Sequence, residues 1–565
     1  MSSRKNIMKN KFDKDGNPSI GTVVYVDSES VLAQLTTENF DSVRVGAMVG
    51  IYTHFGGVYI IGTVSKITSQ FDESEDNDNV LSNQFKLNIV GTFYEKIGER
   101  NNILQRGVSI YPRLNDVVFA FSQKNLTLLM TSSSSNVSIE KQLDIGSFSI
   151  NNTSRAVLDG NKFFQKHAAI VGSTGSGKSW TVATLLEKAS KLNYDNIIVF
   201  DIHGEYYPLT EGKEKIADKL SLGRDSNFQL PYWLLNRSEL LSMFVDHGDN
   251  DAPNQISRFT KHILDLKKQS INCFEGNDIT VDSPIPFNIK TVVELLKKDD
   301  EETIQASGSG TRTKKGIWNG KLTRFISRLE TKMNDARYGF MFNPKAATME
   351  TSWLLEFYSS LLSNNSEKKG IKIIDLSEVP SDILPTVTGT LARLLFDFQS
   401  WTLSSDRTPI AILADEAHLY IPQNGNSSEK QAARNFERIA KEGRKYGMSL
   451  VIVSQRPSEV NATVLSQASN FVVLRLNNES DKNRIKNLLP DNMNDALSQL
   501  PLLELGEAII IGDSIILPNK IKIDKPTLKP DSNTIAFWDD WETKELTNDH
   551  LSRTIKNILS QSFLP

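Results

Sequence analysis

A chain of 565 residues has room for three or four domains, each with its own core. Its hydrophobic fraction of 39% and charged fraction of 23% are those of an ordinary soluble protein, and no apolar run approaches the length of a membrane helix. The lone Cys273 excludes an intrachain disulfide and fits a reducing cytoplasm, and a net charge of −4 excludes a uniformly basic protein, so any nucleic acid must be held by a local patch or an enclosed channel.

The first residues, MSSRKNIMKNKFDKDG, are basic but lack the apolar core of a signal peptide. Residues 1–160 then carry short β patterns: Ile20 to Val26, Val43 to Tyr52, Val58 to Ile67, Phe85 to Phe93 and Val117 to Phe121. Such spacing predicts a small barrel or sandwich, with the acidic stretch Asp72 to Asp78 as a solvated loop. No catalytic constellation falls here, so the region reads as an assembly or docking domain. The histidines (His54, His167, His203, His247, His262, His418, His550) show no metal-ligand spacing.

Residues 161–231 open an α/β core. The run Ala168-Ala169-Ile170-Val171 leads into Gly172-Ser173-Thr174-Gly175-Ser176-Gly177-Lys178-Ser179, and a helical stretch from Thr181 to Ala189 follows. Strand, glycine-rich turn and helix start are the context in which this pattern cradles phosphates: backbone N–H groups wrap the anion and the helix dipole favours it. Lys178 is expected to reach the β- and γ-phosphates of ATP, and Ser179 to hold Mg²⁺. The next predicted strand, 196–201, ends in Asp201-Ile202-His203-Gly204-Glu205-Tyr206, where Asp201 and Glu205 serve either the reacting water or a structural turn.

Residues 232–364 read as a helical insertion. It contains a polar segment, Asp299 to Gly310, and then a basic one: Arg312, Lys314, Lys315, Lys321, Arg324, Arg328, Lys332 and Arg337 against only Glu330 and Asp335. By itself such a stretch is as consistent with a solvated helix face as with a contact surface.

The core resumes over 365–520, with predicted strands at 371–375, 410–414, 449–454, 471–476 and 507–511 in a mostly parallel sheet. The strand Ile410 to Ala414 ends in Asp415-Glu416, at the carboxyl edge where open α/β sheets bind ligands. Asp415 is expected to support Mg²⁺, and Glu416 to polarise the water that attacks the γ-phosphate. A helix from Glu429 to Tyr446 carries Arg434, Arg438 and Arg444; Arg444 first and Arg438 second are candidates for a finger acting on a neighbouring subunit's site, with Arg475 a weaker third. Gln455, after the strand 449–454, is the candidate γ-phosphate sensor. Residues 521–565 read as a strap marked by Pro526 and Pro530, closed by a helix over 544–560 that braces a neighbour.

In this order the runs AAIVGSTGSGKS, FDIHGEYYPL, ILADEAHLYIP, KEGRKYGMSLVIVSQRPSEV and SNFVVLRLNN resemble the HerA family within the HerA–FtsK group of DNA-translocating ATPases. The Asp-Glu-Ala-His run does not make the chain a DEAH-box helicase, because that group's other motifs are absent. The resemblance implies a RecA-like P-loop core with an N-terminal HAS-barrel-like domain, a homohexameric ring with ATP sites at subunit interfaces, and DNA in a central channel gripped by basic loops, among which 311–337 becomes a candidate. It implies a partner too: a NurA-like nuclease, or a sirtuin-like or nuclease effector of an anti-phage system. Two alternatives share these motifs: a ring scaffold whose ATP state switches an effector without moving DNA, and a secretion or conjugation ATPase.

Overall fold

The computed structural model describes residues 16–560 except 29, 37–42, 73–79, 96–102, 109, 136, 150, 224–226, 271–277, 306–312, 363–367, 490–496, 517–518 and 533–534. Most of the predicted acidic loop, Cys273 and Arg312 therefore lie outside the described residues.

The N-terminal strands are β1 (Ser19–Val26), β2 (Ser30–Leu35), β3 (Met48–Tyr52), β4 (Val58–Asp72), β5 (Val80–Tyr94), β6 (Ile103–Arg106) and β7 (Val117–Ala120). They run in the order β2-β1-β7-β3-β4-β5-β6, and a further β2–β5 pairing closes the first six into a barrel. The long strand β5 makes closure feasible. One edge pairs with β4 throughout, while the other takes β2 at Gln84–Asn88 and β6 at Gly91–Tyr94. Alternate residues Val31, Ala33, Val49, Ile51, Ile60, Phe85, Leu87 and Val118 point inward and are buried together. With one face buried, register is fixed, since a one-residue slip would turn this set outward.

The later strands are β8 (Gln142–Phe148), β9 (Asn151–Asp159), β10 (Ala168–Val171), β11 (Ile197–Asp201), β12 (Ala217–Ser221), β13 (Thr303–Gln305), β14 (Thr313–Lys315), β15 (Ile371–Asp375), β16 (Ile410–Ala414), β17 (Met448–Ser454), β18 (Asn470–Val473), β19 (Glu507–Gly512) and β20 (Asn519–Ile523). The chain divides into two compact units: Met1–Lys191 with Val451–Ser458 and Leu465–Lys529, and Leu192–Leu450 with Glu459–Val464 and Pro530–Pro565.

In the first unit β10 lies between β17 residues 451–454 and β18, parallel to both. From β18 onward the pairing is antiparallel, through β19 and β20 to the β8–β9 hairpin. The mostly parallel sheet expected from the sequence is thus corrected on this side. Strands β19 and β20 are joined too closely for a crossover helix, and β8 and β9 are joined by a tight turn, so each pair must run antiparallel. The expected first domain, 1–160, spans both the barrel and this hairpin.

In the second unit β12, β15, β11 and β16 are all parallel. Strands β11 and β16 are buried at every position, which explains their unbroken apolar runs. The insertion is helical except for the two-stranded hairpin β13–β14. The helix expected over 429–446 is instead Ser427–Glu442, opened by a capping box between Asn426 and Glu429, then a tighter turn over Gly443–Tyr446. The closing helix is likewise two, Phe537–Thr543 and Asn548–Ser560, with the Thr547 hydroxyl accepting from the His550 N–H at the second start. Among the described residues, no helix is long and apolar enough to cross a membrane.

Candidate nucleotide site

The four residues of β10 are fully buried, so the chain leaves the sheet only at Gly172. There the Gly172 N–H donates to the Ser454 carbonyl (3.3 Å) and the Ser173 N–H to the Arg475 carbonyl (2.8 Å), tying the loop to the ends of β17 and β18. The loop folds back through Ser176 N–H to Ser173 O (3.1 Å), and the Ser176 carbonyl accepts from Gly506 N–H (3.2 Å). A side chain at 172 would put its Cβ 2.5 Å from Ser176 Oγ and 2.8 Å from Leu474 Cβ. Gly175 (φ +69°) and Gly177 (φ +103°) take the left-handed conformation that glycine adopts without strain.

Gly177 begins the helix Lys178–Ala189, and no side chain caps that start. The first N–H groups of the helix therefore point toward the loop without an intrahelical acceptor, at the positive end of its dipole. The Ser176 hydroxyl is buried with no hydrogen-bond partner. Lys178 is only 8% exposed and pairs with no carboxylate among the described residues. A buried cation and an orphaned hydroxyl beside uncapped N–H groups leave positive potential unsatisfied, which suits a polyphosphate. Gln455 sits at the loop tip, where its side-chain carbonyl accepts from the Thr174 hydroxyl at 2.6 Å.

The second unit carries the carboxylates. Asp415 and Glu416 follow β16 and are 4% and 8% exposed. Glu416 is left-handed (φ 44°, ψ 45°), a conformation that costs a side-chain-bearing residue about 1–2 kcal/mol. Three bonds hold it there: Glu416 N–H to Asp415 Oδ1 (3.0 Å), Tyr420 OH to Asp415 O (2.8 Å) and Leu419 N–H to Glu416 O (2.9 Å). The turn aims Glu416 so that Oε2 is buried without a hydrogen bond, with His418 Nδ1 at 3.4 Å. Backbone strain of this kind concentrates at functional sites.

Asp201, at the end of β11, accepts from the Glu205 N–H (3.1 Å) and the Tyr206 N–H (3.0 Å), so it holds the Gly204 turn. Burial pushes its carboxyl up to about 6, against the lowering effect of those two N–H groups, and the charges of Asp375 and Glu205 add to the rise. Burial raises Asp415 well above the ordinary carboxylate value, followed by the charges of Glu416, Asp201 and Glu205. Burial and then the Asp415 charge likewise keep the Tyr206 phenol protonated. A group of carboxylates that raise one another's proton affinity is the setting in which a divalent cation binds well. Among the described residues no three His, Cys, Asp or Glu side chains are grouped to hold a metal.

The candidate fingers differ in their surroundings. Arg438 is engaged within its own chain, over the Phe396 ring (4.4 Å) and 3.5 Å from Asp397. Arg444 lies on the 443–446 turn, exposed, with no ion pair or hydrogen bond from its side chain among the described residues. Sequence reasoning missed the supports of this site: Tyr420 on the Asp415 carbonyl, and Asp375, paired with Lys219 at 2.8 Å. Asp375 ends the apolar run of β15 as Asp201 ends that of β11, a signal the sequence does contain.

Residues 143–395 match the family model described as Helicase HerA, central domain. The DNA double-strand break repair helicase HerA of Saccharolobus solfataricus is 29% identical over 393 residues, covering 68% of this chain and 69% of that protein. A probable helicase of Methanocaldococcus jannaschii is 24% identical over 556 residues, 90% of this chain and 95% of the relative. Among solved structures, VirB4 of Thermoanaerobacter pseudethanolicus aligns with 69% of this chain and 98% of its own at 15% identity and a TM-score of 0.48. The region 143–395, which contains the phosphate loop and β11, is thus similar to the central domain of HerA helicases.

Proposed function

We propose that the chain is an ATP-driven motor that moves DNA through the channel of a homohexameric ring and works beside a nuclease or other effector. The observation that carries the ATPase is the phosphate cradle: a buried Lys178 and a buried Ser176 hydroxyl, neither with a side-chain partner among the described residues, at the uncapped start of the 178–189 helix. The DNA reading is supported by relatives named as DNA double-strand break repair helicases.

In the reaction so proposed, Gly172 to Ser179 hold the phosphates, and Lys178 offsets charge on the β- and γ-phosphates. Ser179 and Asp415 would each be a ligand for Mg²⁺, which would neutralise charge on the phosphate oxygens. Glu416 accepts a proton from the attacking water as the bond between the γ-phosphorus and the bridging oxygen breaks, and the electron pair leaves with ADP. Gln455, already bonded to the loop tip through Thr174, orients that water or reads the γ-phosphate. Arg444 meets the developing charge from a neighbouring subunit.

Steady-state hydrolysis with and without linear DNA, at low and moderate salt, tests this reading. Strong, salt-sensitive stimulation is expected, with Lys178→Ala inactive. Robust hydrolysis indifferent to DNA at every salt would overturn the motor reading while leaving the ATPase intact.

A further inference from the structure

The basic stretch from Thr311 to Arg337 is divided by the fold. Arg328 turns inward to the Phe244 carbonyl (3.0 Å) and Gln255 Oε1 (3.3 Å). Lys332 pairs with Asp382 (3.0 Å), and Arg337 with Asp335 (2.7 Å). Lys321 and Arg324, before and on the helix Thr323–Asn334, have no side-chain ion pair or hydrogen bond among the described residues, and the same holds on the strand β14 for Lys314 and Lys315.

The strand they occupy is unusual. In the β13–β14 hairpin Thr303 faces Lys315, Ile304 faces Lys314 and Gln305 faces Thr313, and all six residues are exposed. A two-stranded hairpin with no buried face is marginal in water. This one is tied firmly at its base. Asp300, ending the helix Ile289–Asp300, accepts from Leu322 N–H (2.7 Å), the Thr323 hydroxyl (2.6 Å) and, through its carbonyl, Gly320 N–H (2.9 Å). The Glu302 carbonyl accepts from Gly316 N–H (2.8 Å) and the Asn319 side chain (3.1 Å). Beside it Asp299 takes a bidentate pair from Arg258 (2.7 and 2.8 Å) and a bond from His262 (2.6 Å), while Arg258 also covers the Trp318 ring at 5.3 Å.

A pair of strands whose six described residues are all exposed, on a base this well fixed, is suited to contact with something outside the chain. Its charge says what. Successive strand residues point to opposite faces, so Lys314 and Lys315 put one ammonium on each face of the ribbon. The facing strand, Thr303-Ile304-Gln305, carries no carboxylate to neutralise them. Glu301 and Glu302 come only at the base, where the Glu302 carboxylate lies close against Gly316.

We propose that the β13–β14 hairpin is a finger that grips the phosphate backbone of DNA, with Lys314 and Lys315 as its phosphate contacts. The inference rests on the reading that the chain acts on DNA. It selects the two cations on a rooted ribbon over Arg324, which is exposed and equally without a side-chain partner among the described residues but lies on the helix Thr323–Asn334. Contacts of this kind position nucleic acid without reading its sequence.

The test is binding of the full chain to a fluorescein-labelled linear duplex, followed by anisotropy across a salt series. For Lys314→Ala with Lys315→Ala, the plot of log K against log salt should flatten by about 1.8, two phosphates at about 0.9 each. DNA stimulation of hydrolysis should fall with it, while hydrolysis without DNA stays at the wild-type rate and reports an intact fold. Lys332→Ala and Arg337→Ala, whose charges are spent internally, should leave the slope unchanged. A double variant with wild-type slope and affinity would sink the proposal, as would equal flattening in the Lys332 and Arg337 variants. If the wild-type chain itself fails to bind duplex at low salt, the DNA reading falls instead, so the two failures are told apart.

Discussion

Gly172 and Gly175 belong to one motif but are glycines for different reasons, and the structure predicts different penalties for the same substitution. At Gly175 nothing lies within 4 Å of an added Cβ, but φ is +69°. Alanine there meets only left-handed strain, about 1–2 kcal/mol, which shifts the loop toward conformations that do not cradle phosphate. The apparent affinity falls with the competent fraction, by at most about 5- to 30-fold. At Gly172 the added Cβ would lie 2.5 Å from Ser176 Oγ and 2.8 Å from Leu474 Cβ. The first atom can rotate away. The second is fixed to the backbone, and Gly172 is also held by its bond to Ser454. Overpacking of this kind costs about 1–3 kcal/mol, and with both neighbours inside contact distance the upper end is expected, a loss of the order of 10²-fold.

Equilibrium binding of a fluorescent ATP analogue with Mg²⁺ measures both, with circular dichroism and melting to confirm folding. Gly172→Ala should be the weaker binder. Adding Ser176→Ala to it removes the 2.5 Å contact, leaving Ser176 Cβ at 3.4 Å, so the double variant should bind better than the summed single effects predict. Wild-type affinity in Gly172→Ala, or a larger loss in Gly175→Ala, would refute the account of the cradle.

Other consequences follow from the second unit. Glu416→Gln keeps the buried turn and should bind ATP but hydrolyse it about 10² or more times slower, measured by single-turnover kinetics. Glu239→Ala should destabilise the chain by about 3–5 kcal/mol in urea unfolding, because Glu239 holds the buried Arg393 guanidinium (2.8 and 3.0 Å) and Asn435 (2.9 Å); a loss under about 1 kcal/mol would contradict this. Asp201, raised to about 6 by burial, binds its proton more tightly folded than unfolded, so its contribution favours folding below about pH 4 and is lost as pH rises toward 6. The stability margin of wild type over Asp201→Asn should therefore shrink by about 1 kcal/mol from pH 5 to pH 7 without nucleotide, and a pH-independent margin would count against it.

The phosphate loop and the Asp415-Glu416 turn, each taken by itself, were legible because their signals are local. The phosphate loop needs one strand, one turn and one helix start in sequence, and Asp415-Glu416 needs only the end of an apolar strand. The N-terminal strands were legible as short β patterns, but not the choice of barrel over sandwich, because closure depends on β2 pairing with β5 across the intervening β3 and β4. In the antiparallel half of the first unit's sheet, β18 and β19 were legible as strands, but the antiparallel direction was not. Strands β8, β9, β18, β19 and β20 are brought together from opposite ends of the chain, and their apolar runs look the same in either direction. The left-handed Glu416 was equally hidden, since the hydrogen bonds that hold it come from Asp415, Leu419 and Tyr420 only once the turn has formed.

Charge is where sequence reading falls short most consistently, because a cation's partners are rarely its neighbours in sequence. Arg434 and Arg438 look equivalent at a spacing of four, yet Arg438 is taken by Phe396 and Asp397 of its own chain. Arg434 and Arg444 are exposed, with no side-chain partner among the described residues. A guanidinium already seated on a ring and beside a carboxylate must give up both before it can serve a neighbouring subunit, at a cost of about 1 kcal/mol for each contact. An unpaired, exposed one gives up only hydration. On that ground Arg444 precedes Arg438 as the residue acting across a subunit boundary, and Arg434 enters ahead of Arg438. The same sorting sets aside Arg328, Lys332 and Arg337 of the basic stretch and leaves Lys314, Lys315, Lys321 and Arg324 without a side-chain partner among the described residues. In both places the charges left over after the fold has used its own are the ones available to a partner.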